Sequence, residues 1–140
     1  MRILRTWLSL ALVAIGSACA SEDLATGNLL DSQMVIAGEV TDGRTGAPVP
    51  AALIRAIVRV GTCEDLVWTG PREFHTSVSG RFSERLIVPG GIGSRRGCLE
   101  LSVQPPAATG LSSMTLLVDE VSITPVNVPA DTIELGIELN

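Results

Sequence analysis

At 140 residues the chain has room for one domain, and 10 basic against 15 acidic residues leave a net charge of −5. All ten basic residues are arginine; without Arg2 and Arg5 at the N-terminus the basic count falls from 10 to 8 and the charge from −5 to −7. No basic stripe with interleaved aromatics is present, which argues against a nucleic-acid partner and against electrostatic adhesion to anionic headgroups.

The first segment reads as an address. Arg2 and Arg5 are followed by an apolar run from Trp7 to Ile15, broken only by Ser9, and then by the small residues Gly16-Ser-Ala-Cys-Ala20. That is the three-part pattern of a secretory signal. The run is shorter than the roughly 20 apolar residues that span a bilayer. Two cleavage readings stand. Ala18-Cys-Ala20 fits cutting after Ala20. Gly16-Ser-Ala-Cys19 resembles the lipobox of bacterial lipoproteins, with Gly16 where that family has Leu. The preferred reading is the lipoprotein, with 1–19 as signal peptide and Cys19 as the acylated first residue of the mature chain. More than one acyl chain makes such an anchor stable. Ala20 and Ser21 lack the aspartate that retains enteric lipoproteins at the inner membrane, which favours the outer membrane; a periplasmic or secreted protein is the alternative.

Residues 20–33 are mostly polar and read as a flexible tether. Strand signals dominate from 34 to 140. Residues 35–41 alternate, with Ile36 and Val40 on one face and Glu39 and Thr41 on the other. Asp42-Gly-Arg-Thr-Gly46 supplies turn chemistry. Pro48 and Pro50 belong at the entry or edge of the next strand, which over 53–60 turns Ile54, Ala56, Val58 and Val60 one way and Arg55 and Arg59 the other. Residues 66–68 form a short strand candidate, broken by Gly70-Pro71. In 80–88, Phe82, Leu86 and Val88 are in phase and Glu84 breaks the face, so a bulge or an edge position is expected there. Residues 98–104 point Leu99, Leu101 and Val103 inward and leave Cys98 outward or at the strand end. A strand at 114–121, an extended piece at 122–129 and the cleanly alternating 131–139 complete the set. About seven short strands predict an all-β, single antiparallel β-sandwich.

Cys63 and Cys98 remain as a pair once Cys19 is set aside, and an even pair in an exported domain reads as a disulfide. Closing that loop stabilises the fold by about 4 kcal/mol in the chain-entropy model.

Gly38-x-Val40-x-Asp42-x-x-Thr45-Gly46-x-Pro48-Val49-x-Ala51, followed by Ser77-x-Ser79-Gly80-x-Phe82, resembles the carboxypeptidase regulatory-like domain. The resemblance implies a transthyretin-like (prealbumin-like) seven-stranded sandwich over 34–140. It also implies a non-catalytic module without cofactor, of the kind found as short surface lipoproteins. Pro50 stands where that family has Gly, and Ser77 and Ser79 where it often has Asp.

Individual residues offer little chemistry. His75, the single histidine, has no nucleophile motif beside it. A zinc set of Cys63, His75 and Cys98 needs reduced thiols, which export opposes. Asp42, Glu64, Asp65, Asp119 and Glu120 are loop carboxylates without calcium-loop spacing. Trp68 and Phe74, flanking Gly70-Pro71, are the candidate ligand contacts. A G-x-S-x-G elbow is absent. One histidine, no tyrosine and the ending Glu138-Leu-Asn140 do not match the transthyretin-related hydrolases of purine breakdown. The expectation is a non-enzymatic binding or structural module of the cell envelope, tied to the membrane through Cys19, with an envelope protein, peptide or glycan as partner. The alternative is a soluble periplasmic carrier with a pocket near Trp68.

Overall fold

Alternation in the sequence becomes seven β-strands in the computed structural model, which describes residues 30–140 apart from Trp68 and Gly91. The signal segment, Cys19 and the tether as far as residue 29 lie outside the described residues. The strands are β1 Ser32–Asp42, β2 Leu53–Val60, β3 Arg72–His75, β4 Arg81–Val88, β5 Arg95–Gln104, β6 Met114–Pro125 and β7 Thr132–Leu139. One 3-10 turn, Ala107–Thr109, is the single helical piece among them, and no helix among the described residues is long and apolar enough to cross a membrane. The fold is all-β.

Period-two burial explains each strand. Met34, Ile36 and Val40 of β1, Ile54 and Val58 of β2, Leu99, Leu101 and Val103 of β5, and Ile137 and Leu139 of β7 meet in one core and are at most 2% exposed. Burying each such side chain stabilises the fold by about 1.5–3 kcal/mol. Arg55 and Glu134 sit in the opposite phase and face solvent.

Strand order runs β3-β2-β5-β6-β1-β4, and β7 also bonds to β1. Two groups of strands, β4-β1-β7 and β3-β2-β5-β6, thus share the core and are joined where the end of β6 meets the start of β1. One pairing corrects the all-antiparallel expectation: β7 runs parallel to β1, from Val35↔Thr132 to Asp42↔Leu139. The reason is local. β6 pairs with β1 only at Ser32↔Pro125 and Gln33↔Thr124, then leaves it. The chain reverses through 126–131, and β7 fills the vacated side of β1 in β1's own direction.

Other expectations shift by physical detail. Of the strand expected at 66–68, the described residues Leu66 and Val67 form none; Val67 makes one isolated bridge with Arg59, and β3 lies at 72–75 instead. Only Phe74 of β3 is buried, so four residues carry too little alternation to be seen in sequence. Residues 114–125 form one strand, interrupted by a bulge in which Asp119 and Glu120 oppose the single Cys98 and Glu120 takes φ +54°. Glu84 is explained by position. The β1–β4 register is unbroken from Ser32↔Val88 to Glu39↔Arg81, and β4 ends the strand order. There Glu84 reaches Arg72 of β3 at 3.8 Å.

The turn residues have definite tasks. Asp42 accepts the Arg44 N–H at 2.8 Å through Oδ1, and its carbonyl accepts the Gly46 N–H at 2.7 Å. Gly80, at φ +72°, has no room for a Cβ, which would lie 2.6 Å from the Val40 carbonyl oxygen. The buried Thr76 hydroxyl donates to the Val49 carbonyl at 2.7 Å and accepts the Ala52 N–H at 2.9 Å. It therefore ties the entry of β2 to the turn before β4.

Gly38 lies in the core-facing phase of β1, and a Cβ there would overlap the Leu135 carbonyl oxygen and come within 2.9 Å of the Phe82 ring. We expect Gly38→Ala to cost about 2–3 kcal/mol by overpacking in urea titrations. Gly136→Ala points into open space and should leave stability within about 0.5 kcal/mol of the parent, or raise it slightly.

Candidate functional site

Residues 61–67 and 69–71 depart from regular structure, and the first stretch is built around the disulfide. Cys98 stands opposite Arg59 on the outward side of β2 and β5, yet it is fully buried, because Cys63 is bonded to it from the segment above. The Cα atoms are 4.9 Å apart and the bridge spans 35 residues, as expected from the cysteine pairing. Polar bonds hold the segment down. The Arg59 guanidinium donates to the Asp65 carbonyl at 2.9 Å and pairs with Glu100 at 2.7 Å. The Asp65 carboxylate accepts the Thr62 N–H at 2.6 Å and its hydroxyl at 3.0 Å. Those two bonds, the backbone one first, hold the Asp65 carboxyl below the ordinary carboxylate range. The segment then lifts Leu66, 90% exposed, and Val67 into solvent. Trp68 follows but lies outside the described residues.

Beyond that tip, Thr69, Gly70, Pro71 and Arg72 form one wall of a cleft of about 330 Å³. Arg85, Leu86 and Ile87 of β4 form the other wall, and Ala56 and Val58 of β2 the floor. Ala56, Val58, Leu86 and Ile87 give the cleft apolar lining and Arg72 and Arg85 give it basic side chains, a mixture that suits a small ligand with an apolar body and an anionic or hydrogen-bonding end. Phe74 does not line it. It is 9% exposed and packs on Phe82 with ring centroids 5.9 Å apart, so the structure places it in the core rather than at a ligand-facing surface. His75 is exposed at the end of β3, opposite Leu53.

A larger trough, about 740 Å³, crosses the outer face of β4-β1-β7. Ala37, Ser83 and Gly136 keep its floor low, and Arg81, Glu39 and Glu134 stand around it. Sequence reasoning missed it because small residues on three separate strands become neighbours only through the registers Ser83↔Ala37↔Glu134 and Arg81↔Glu39↔Gly136. Small outward residues at 37, 83 and 136 were the available signal.

The candidate metal ligands are not assembled into a site. Among the described residues the one close grouping is Cys63, Cys98 and Asp119, and its two thiols are consumed by the disulfide. His75 is not part of that grouping. Asp42 serves its turn, where the Arg44 side chain, then the Arg44 N–H, hold its carboxyl below the ordinary range. Glu64 is exposed in the 61–67 segment, Asp119 accepts the Glu120 N–H at 2.9 Å, and Glu120 lies 3.9 Å from Arg96.

No family model matches the chain, and no curated protein matches it. Solved structures do. The chain is similar to the 3-chlorocatechol 1,2-dioxygenase of Rhodococcus opacus 1CP, with a TM-score of 0.51 and 17% identity over 76% of this chain. It spans 58% of that chain's length. The dioxygenase domain of a dioxygenase carbohydrate-binding protein fusion from Streptomyces sp. SirexAA-E gives a TM-score of 0.48 and 18% identity, covering 81% of this chain and 84% of that one. At such identity the likeness is one of fold. The first of these likenesses corrects the expectation that the chain is not an enzyme. That expectation rested on the resemblance to a non-catalytic domain and on the absence of reactive motifs, whereas the first of these structures, which shares the fold, is named as a dioxygenase. A fold that carries catalysis elsewhere gives no ground for excluding it here.

Because the Asp65 carboxyl is lowered on folding, its contribution is complete above the unfolded value and drains away as pH falls through the folded one. Asp65→Asn should be less stable than the parent near neutrality, and the two urea midpoints should converge as the pH falls below the ordinary carboxylate value of about 4.

Proposed function

We propose that the chain is an exported β-sandwich of a bacterial cell envelope, anchored through acyl chains on Cys19, whose work is binding or structural support. In this reading β4-β1-β7 packs on β3-β2-β5-β6 as the two layers of the sandwich. The observation that carries the proposal is the Cys63–Cys98 bridge. Disulfides persist in oxidising compartments, so the bridge agrees with the secretory pattern of residues 1–20. The exposed Leu66 and Val67 and the outer-face trough are the surfaces this reading offers to an envelope protein, peptide or glycan.

A second reading rests on the cleft walled by Thr69, Gly70, Pro71 and Arg72, immediately after Trp68. Its volume of about 330 Å³ suits a small molecule. Under this reading the chain is a soluble periplasmic carrier, cut after Ala20.

Intact mass of the protein from its native fractions separates the two. The lipoprotein reading expects an acylated chain starting at Cys19 in the membrane fraction. A soluble chain starting at Ser21 would remove the anchor and leave the carrier. For the carrier, Trp68 fluorescence in a small-molecule screen should shift with a bound compound, and Arg85→Ala should weaken that shift. A screen without response argues for the binding or structural module.

A further inference from the structure

We propose that the chain associates head to tail with further copies of itself, the basic edge β4 of one copy pairing antiparallel with the acidic edge β7 of the next. Both strands are edges among the described residues. β4 ends the strand order, and β7 is bonded to β1 alone. The Arg81 carbonyl accepts the Ser77 N–H at 2.8 Å, so it points away from β1. Alternate residues of a strand send their backbone groups to the same side, so Ser83, Arg85 and Ile87 present theirs to that edge beyond Arg81, whose own N–H and carbonyl are bonded to Ser77. The cleft of about 330 Å³ that separates Arg85 and Ile87 from residues 69–72 leaves space beside that edge.

Charge selects the partner. Arg81 and Arg85 are exposed on the outer face of β4, and Glu134 and Glu138 on the outer face of β7. None of the four belongs to an ion pair among the described residues. Their spacing is matched. In one antiparallel register Arg81 stands opposite Glu138 and Arg85 opposite Glu134, with the small pair Ser83 and Gly136 between them. The same register sets Phe82 against Ile137 and Leu86 against Ile133 on the core-facing side. Glu84 then meets Leu135, and its charge is already answered by Arg72. Directly opposed unlike charges stabilise a strand pair and like charges oppose it. Pairing β4 with a second β4 gathers arginines together, and pairing β7 with a second β7 gathers glutamates. The head-to-tail contact is therefore the favoured one. Such a contact is heterologous, so it gives a ring if its rotation closes and a growing row of copies if it does not.

Sedimentation velocity on the exported, disulfide-bonded protein tests this across a concentration series. At low salt the average mass should rise with concentration, and it should return toward one copy at about 0.5 M salt, where exposed charges are screened. Arg81→Glu with Arg85→Glu should weaken association by about tenfold or more, and Glu134→Arg with Glu138→Arg should do the same. Mixing the two double variants should restore association, since each supplies the edge that the other lacks. The quadruple variant, with both edges inverted, should associate like the parent. A parent that remains one copy at every concentration overturns the proposal. Association that ignores the charge reversals, or a mixture that stays dissociated, overturns it equally.

Discussion

Strand β1 is bonded to three others, and the rest of the molecule depends on that arrangement. β4 follows it from Ser32 to Glu39, β6 touches its first two residues, and β7 takes the remainder. Through β6 it joins the two groups of strands; through β7 it holds the last strand of the chain beside the first. Its inward residues Met34, Ile36 and Val40 are buried completely. Gly38, in the same phase, carries no side chain, and that missing volume lets β7 and the Phe82 ring close on β1 together. A strand hydrophobic on one face would make an ordinary sheet element. A strand with a gap at this point becomes the place where three others converge.

The Gly-rich turn chemistry serves that convergence. Val40 bonds both to Gly80, whose carbonyl accepts its N–H at 2.8 Å, and to Val49, which donates to its carbonyl at 2.9 Å. Thr76 then couples Val49 and Ala52 to the β3–β4 connection. Residues far apart in the chain thus form one corner, and the Gly-rich motif is there for geometry rather than for chemistry. At another part of the molecule the disulfide allows an irregular segment to persist. It covers Cys98 and leaves Leu66 and Val67 in solvent without unravelling β2 or β5. A short irregular segment held by a covalent bond and by Asp65 is the kind of element on which binding residues are commonly placed.

Much of the fold was legible because period-two burial is a local signal. Residues 53–60 alternate so regularly that the strand bounds and both faces match the structure. In 131–139 the faces match as well, although the direction of pairing does not. β3 was hidden because Phe74 alone in it is buried. The bulge at Asp119 and Glu120 was hidden because it depends on what Cys98 does in the neighbouring strand. The candidate site was less legible. Phe74 and Trp68 look equivalent in sequence, two aromatics flanking Gly70-Pro71, but Phe74 stacks in the core against Phe82. Cys98 looked outward-facing by phase, and it is, but a covering segment buries it.

The sequence by itself determined the all-β class, most strand phases, the turn residues and the pairing of Cys63 with Cys98. Each follows from spacing within a few residues or from counting. Tertiary structure alone decided that β7 runs parallel to β1, that β4 and β7 are left as edges of opposite charge, and that Ala37, Ser83 and Gly136 form one trough floor. The physical reason is that alternation says which way a side chain points within its own strand. Which strand lies beside it, and which edge remains unpaired, depends on the whole chain closing around one core.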